Sequence, residues 1–307
     1  MLDAVIYSSL FALMSIGLTL SYMTAKVPNF AHGSFITTGA YLAFTFYRFD
    51  GINPYLSLPA VFVLGGLVGL LIDLGVIGPL IRRGASLVSL ITATFAVGIA
   101  FDGVIGIYAD LLANQYKIPE SRFFLLANQD FNFLGENGLF YVAPGALFAI
   151  SLTLYLVLTR TKFGVSMRAA VENPSLATVL GINLTKVSAV SWFLAGGLAA
   201  VAGDLFTLRL PANPALGTNF TVAFFSASVL GGLSSILGAG IGGILVGAGE
   251  VLITVFGAQA VGVWFLSYQP AVPLVMMIVG LLIVPRGIVS ADYRKVYRKI
   301  SGRLSRK

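Results

Sequence analysis

Six polar residues stand inside or against long apolar runs and are the first candidates for chemistry: Asn29, His32, Asp73, Asp102, Asp204 and Glu250. A charged side chain at the centre of a membrane span costs about 2.5–3.5 kcal/mol on insertion scales, so one that is retained faces a cavity or a bonding partner. Asp73 and Asp204 are expected near span ends, as solvated or snorkelling charges. Asp102 and Glu250 sit deeper and are expected either to line a solute path or to lock helices together. Asn29 and His32 belong to "KVPNFAHG" (26–33), which breaks helical periodicity. Irregular backbone at membrane depth lines cavities, so they join Asp102 and Glu250 as path candidates, with capping as the alternative.

Catalytic readings of these residues are weak. An intramembrane aspartyl protease needs G-x-G-D, and "AVAGD" (200–204) carries Val201 where the first glycine is required. A membrane serine protease needs G-x-S-G and a histidine in a later span, whereas His32 comes early. The chain has no cysteine and one histidine, which leaves no disulfide, thiolate site or histidine metal centre to build; no metal or cofactor is expected. There is no G-x-x-x-x-G-K-[ST] phosphate loop either.

A different kind of polar segment interrupts the middle of the chain: "FGVSMRAAVENPSLATVLGIN" (163–183). Asn173 suits a helix N-cap and Pro174 the first helical position, where a missing N–H costs nothing. "SLATVL" gives under two turns, and Gly181 is placed to end them in a left-handed conformation. An ordinary loop needs charge but not two capping signals. A preformed short helix suits docking into a partner's groove.

The elements that must hold these residues are membrane spans. Apolar residues make up 57% of the 307 residues and charged residues 10%, with a mean hydropathy of +0.92; soluble domains carry about 25% charge. Apolar runs of twenty or more indicate helices rather than the alternating strands of a barrel. The expected fold is an all-α polytopic bundle of about eight to ten spans in the lipid bilayer, with a short cytoplasmic coupling helix. Spans are read near 3–24, 33–48, 55–80, 86–110, 141–159, 187–209, 220–236, 239–256 and 268–285, the second being a candidate half-span or re-entrant segment. Residues 1–290 form the membrane domain and 291–307 a basic tail. The net charge is +7, and seven of the nineteen basic residues follow position 293, which marks the cytoplasmic side rather than a nucleic-acid partner. The connection 160–186 is also cationic, the connection 111–140 is not, and an odd span count then puts the N-terminus outside the cell membrane. Glycines four apart (Gly65 and Gly69, Gly238 and Gly242, Gly243 and Gly247) predict close helix pairs, with 230–250 forming two helices about a short turn.

These residues carry a resemblance. "RTKFGVSMRAAVENPSLATVLGIN" resembles the coupling loop of ATP-binding-cassette importer permeases, in the form found in the branched-chain amino acid permease family; Gly164, Arg168, Ala169, Glu172, Ala177, Gly181, Ile182 and Asn183 match its pattern. "NFAHGSF" (29–35), "AGGLAAVAG" (195–203), "VLGGLSSILGAGIGGILVGAGE" (229–250) and "VPRGI" (284–288) follow in the family's order, so the likeness spans nearly the whole chain. Ser34 stands where the family usually has an acid, Ser234 and Leu237 replace a glycine and a proline, and a basic segment before the fourth span is reduced to Asp73, Pro79, Arg82 and Arg83. The resemblance implies a non-catalytic permease for branched-chain or hydrophobic amino acids, with a related sugar or amide and urea permease as runner-up. It implies cytoplasmic ATPase subunits that grip 164–183, a second permease subunit (a paralogue or a second copy) and an extracytoplasmic solute-binding protein. An ion-coupled secondary transporter is the rival outside this class, and it leaves the capped loop without a purpose.

Overall fold

Helix α1 (Leu2–Ala25) runs through the middle of the molecule, and 94% of its most apolar window is buried. The computed structural model describes residues 2–285 and 287–290. The basic tail at 291–307, and Arg286 within "VPRGI", lie outside the described residues. After α1 come α2 (His32–Asp50), α3 (Pro54–Arg82), α4 (Leu87–Asn114), α5 (Gly138–Arg160), α6 (Lys162–Glu172), α7 (Pro174–Val179), α8 (Leu184–Phe206), α9 (Leu216–Asn219), α10 (Thr221–Gly231), α11 (Ile236–Val261) and α12 (Val263–Ile283). The first half of α12 is wound as a 3₁₀ helix. A two-residue hairpin, Asn132–Phe133 with Glu136–Asn137, sits in the connection before α5.

Seven of these helices (α1, α3, α4, α5, α8, α11 and α12) are long and apolar enough to cross a membrane. The protein is therefore an all-α multi-pass membrane protein. Helix α8 is 83% buried over its apolar window, against 22% for α4 and 11% for α5 and α12. A spanning helix apolar all round and buried all round belongs at the centre of a bundle. Thus α1 and α8 form the core, while α4, α5 and α12 present apolar faces outward.

The expected second span is one continuous 19-residue helix, α2, about 28 Å long. Gly33 lies inside its first turn, and the irregular backbone is confined to 26–31. The expected span at 220–236 is different. Helix α10 has 11 residues and follows the single turn of α9 across a break at Phe220, so the pass is made of two short pieces. Composition marks 220–236 as apolar but does not show where the hydrogen-bond ladder stops.

Cross-chain bonds define one end of the bundle. Arg209 pairs with Asp3 at 2.8 Å, Phe124 and Ala212 exchange backbone hydrogen bonds, Asn53 donates to the Gln129 carbonyl (2.8 Å), and the Tyr55 hydroxyl donates to Asp130 (2.6 Å). The chain start, the 51–53 turn and the connections 115–137 and 207–215 therefore share that end. The 83–86 turn, residues 161–183 and the 232–235 turn lie at the other. The passes between them are α1, α2, α3, α4, α5, α8, α9 with α10, α11 and α12. That number is odd, so Asp3 and the end of α12 lie at opposite ends.

The close helix pairs occur where the glycine spacing placed them. A Cβ on Gly243 or Gly247 would collide with the α1 backbone at Ala12 and Ser8, and one on Gly69 with the Trp192 carbonyl of α8. Small residues let backbones approach, and hydroxyls then bond across: Ser8 to the Ile244 carbonyl (3.0 Å), Ser15 to Ala239 (2.8 Å), and Ser228 of α10 to Ser15 (3.0 Å). Such bonds contribute about 0.6 kcal/mol each within membranes.

Two expectations fail here. Asp73 and Asp204 are not solvated span-end charges but are 1% and 0% exposed. Asp73 opens a π-turn within α3 and accepts from Ser188 of α8 (2.9 Å); Asp204 of α8 accepts from Ser57 of α3 (2.9 Å). Each stitches α3 to α8, one near either end of the pair. Their partners lie over one hundred residues away in sequence, so only the folded packing reveals them.

Candidate functional site

Two polar assemblies stand out, one at the end bearing α6 and α7 and one midway along α4. The first is built from nested caps. Thr161 accepts from the Gly164 amide (3.3 Å) and starts α6, a helix absent from the capped-loop reading of the sequence. Its signal was present: Phe163, Met167 and Val171, four apart, form the face turned to the core. Gly164 packs so tightly on Leu158 that a Cβ would strike the end of α5. Asn173 caps α7 by accepting from the Leu176 amide (3.0 Å), with Pro174 at the first helical position. Gly181 has φ +83°; its N–H donates to the Thr178 carbonyl (3.0 Å), and that of Ile182 to the Ala177 carbonyl (2.9 Å). These two bonds form a Schellman closure. Asn183 then caps α8 through the Lys186 amide (3.0 Å).

The pair α6–α7 is thus held at every terminus, and its side chains divide between two faces. Ala177 is buried, and Ala169 and Ile182 are partly buried against the bundle. Arg168 donates to the Leu158 carbonyl at the C-terminal end of α5, where a cation complements the helix dipole. With Glu172 it lines the mouth of a cavity of about 650 Å³ between α1, α5, α6 and α11. The outward face is apolar: Leu176, Val179 and Leu180 are 54%, 83% and 69% exposed. Beside it is a notch of about 270 Å³ lined by Phe163, Gly181, Ile182 and Lys186. Arg168 therefore ties the element to α5, and exposed aliphatic residues form much of its free surface.

The second assembly gathers three of the four path candidates. Asp102, the sixteenth of the 28 residues of α4, accepts from Ser34 of α2 (3.1 Å) and Thr218 of α9 (2.8 Å). Ser34, where the resembling family carries an acid, thus meets a carboxylate supplied by α4. Helices α2 and α9 meet here backbone to backbone: the Gly217 amide donates to Thr37 (2.9 Å), and neither Gly33 nor Gly217 has room for a Cβ. Asn29 and His32 are buried just before this junction. The Asn29 side chain accepts from the Ala31 amide, and His32 Nε2 bonds the Met14 carbonyl (2.9 Å). Asn29 Nδ2 and His32 Nδ1 are left without partners. Glu250 lies apart, 4% exposed, accepting from Gln269 (3.0 Å) and tying α11 to α12. Thr218 is the functional candidate that sequence reasoning missed; a lone threonine in a short break carries no signal without the fold. Among the described residues no group of histidine and carboxylate side chains is placed to hold a metal.

Comparison with known proteins gives the family. The family model "Branched-chain amino acid transport system / permease component" matches residues 1–282. The probable branched-chain amino acid transport permease LivH of Methanocaldococcus jannaschii is 44% identical over 97% of this chain and 94% of its own. The high-affinity branched-chain amino acid transport permease BraD of Pseudomonas aeruginosa is 30% identical over 92% of each chain. The ribose import permease RbsC of Escherichia coli is 26% identical over 90% of this chain and 82% of its own. No solved structure matches. With a central pair of helices, a capped helical element at one end and a match along nearly its whole length, the chain belongs to the family of branched-chain amino acid transport system permease components.

Proposed function

We propose that this permease is one of two membrane subunits of an ATP-driven importer for branched-chain or other hydrophobic amino acids. The observation that carries the reading is the α6–α7 element, fixed by caps yet leaving Leu176, Val179 and Leu180 uncovered among the described residues. An apolar helical knob beside a notch fits a groove on a cytoplasmic ATPase subunit, and its anchoring through Arg168 to α5 lets closure of that groove move the spans. Residues 160–186 and the basic tail then lie in the cytoplasm, and the N-terminus outside, in the cell membrane. The opposite end, with connections 115–137 and 207–215, receives an extracytoplasmic binding protein. Asn29, His32 and Asp102 line the path, while Glu250, buried against Gln269, locks α11 to α12.

The likeness to a ribose import permease supports one second reading, a sugar as substrate. The test is uptake into proteoliposomes containing this permease, its partner permease, the ATPases and a binding protein. ATP-dependent accumulation of leucine but not ribose supports the proposal. Uptake by this chain alone, driven by an ion gradient, contradicts it.

A further inference from the structure

We propose that Asp102, with Ser34 and Thr218, is an intramembrane station that holds the ammonium group of the amino acid in transit. This rests on the amino acid importer reading above and names the group on the substrate that the site recognises.

Of the carboxylates carried by the spans, Asp3 and Asp110 pair with arginines at one end of the bundle, and three others are structural. Asp73, Asp204 and Glu250 are at most 4% exposed, and each accepts from a side chain on a neighbouring element. Asp102 is partly open, at mid-helix on the poorly covered α4. A carboxylate has about four acceptor sites, and two hydroxyls occupy Asp102 from one side. Among the described residues no cation pairs with it: the ion pairs there are Arg122 with Asp110 and Arg209 with Asp3, both at the other end of the bundle from α7. An open, unpaired charge at membrane depth is untenable against lipid, so this face borders water or a partner.

The surroundings favour a small amphiphilic cation. Ile99 and Phe95 precede Asp102 by about one and two turns on the same exposed stripe of α4, being 72% and 48% exposed. Beyond Gly103 and Gly106 the space is open. Toward the α7 end, Phe95, Phe30 and Phe225 form a ring stack, with centroids 4.0 and 4.8 Å apart, drawn from α4, the 26–31 segment and α10. The carboxylate is thus set above an aromatic floor, offering a charge for an ammonium and hydrocarbon for an aliphatic side chain. Both interrupted elements of the fold, 26–31 and the α9–α10 break, converge on it, and broken helices at membrane depth line cavities. The partnerless Asn29 Nδ2 and His32 Nδ1 nearby are buried polar atoms of the kind that water satisfies.

The test uses the complete importer in proteoliposomes, normalised to assembled complex. Asp102→Asn should lower leucine uptake about tenfold or more, as expected when one charge-assisted bond to substrate is lost. ATPase stimulation by the loaded binding protein should persist. Because the chain has no cysteine, Asp102→Cys can be charged chemically. Modification with the anionic 2-sulfonatoethyl methanethiosulfonate should restore part of the uptake, and the cationic 2-aminoethyl reagent should not. Equal rescue by both reagents, no reaction at Asp102→Cys, or wild-type uptake by Asp102→Asn would overturn the proposal. Loss of the second permease from the Asp102→Asn complex would assign the charge to a subunit contact instead. Dependence of wild-type uptake on sodium would assign it to a metal cation. If the unaltered complex moves no leucine, the importer reading fails first, and the two failures are distinct.

Discussion

Replacing Gly181 tests the coupling element at the point where backbone geometry alone decides the outcome. Its φ of +83° lies in the left-handed region, and a Cβ there would meet nothing within 4 Å, so a substitution brings conformational strain without a clash. For an L-residue the left-handed conformation costs about 1–2 kcal/mol, more for a β-branched one. Escaping that strain means losing the bonds from Gly181 and Ile182 to the Thr178 and Ala177 carbonyls, at about 0.5–1.5 kcal/mol each. Both routes cost about 1–3 kcal/mol, and the six-residue α7 has no length with which to absorb it. The docking-competent conformation should therefore fall about fivefold or more in Gly181→Val. Gly181→Asn, whose side chain tolerates this region, should be mildest, with Gly181→Ala between. The assay is co-purification of ATPase with tagged permease, alongside leucine uptake. Membrane yield should not change, and the thermal stability of the isolated permease should fall only slightly, because the cost is confined to the six-residue α7. Equal behaviour of all three variants, or wild-type coupling by Gly181→Val, would refute the reasoning.

Other expectations follow from the same geometry. Arg168→Glu removes the donor to Leu158 and places an anion at the C-terminal end of α5; uptake should fall severely, with Arg168→Lys retaining part of it. Gly69→Leu forces α3 away from the Trp192 carbonyl and should lower the midpoint of thermal unfolding in detergent, whereas Asp3→Ala, breaking an exposed ion pair, should alter stability by less than about 1 kcal/mol. Single cysteines labelled by an impermeant thiol reagent in intact cells should react at Asn128 and, only after lysis, at Ser175. Ser8 would be a poor reporter because it is buried and bonded to Ile244, so Asp3→Cys serves for the N-terminal side.

What the sequence made legible was whatever depends on neighbours within a few residues. Asn173, Pro174 and Gly181 mark the limits of α7 because caps act within one turn. The apolar runs mark the spans because length and hydropathy alone meet the membrane's demand. Glycines four apart mark the close pairs for the same local reason. The long-range features were hidden. Asp73 and Asp204 read as span-end charges because Ser188 and Ser57, which satisfy them, belong to other helices. Thr218 drew no notice until the α9–α10 break set it against Asp102. Arg168 reads as one charge of a cationic connection, and only the fold shows its guanidinium bonded to the Leu158 carbonyl at the end of α5.

The central claim is that the aliphatic face of α7 is the surface an ATPase subunit grips. A photo-activated cross-linker placed at Val179, the most exposed position of that face, in the assembled importer measures this directly. The account predicts an adduct with the ATPase subunit from Val179 and none from the same group at Asn128, at the opposite end. An ATPase adduct from Asn128, with none from Val179, would contradict it.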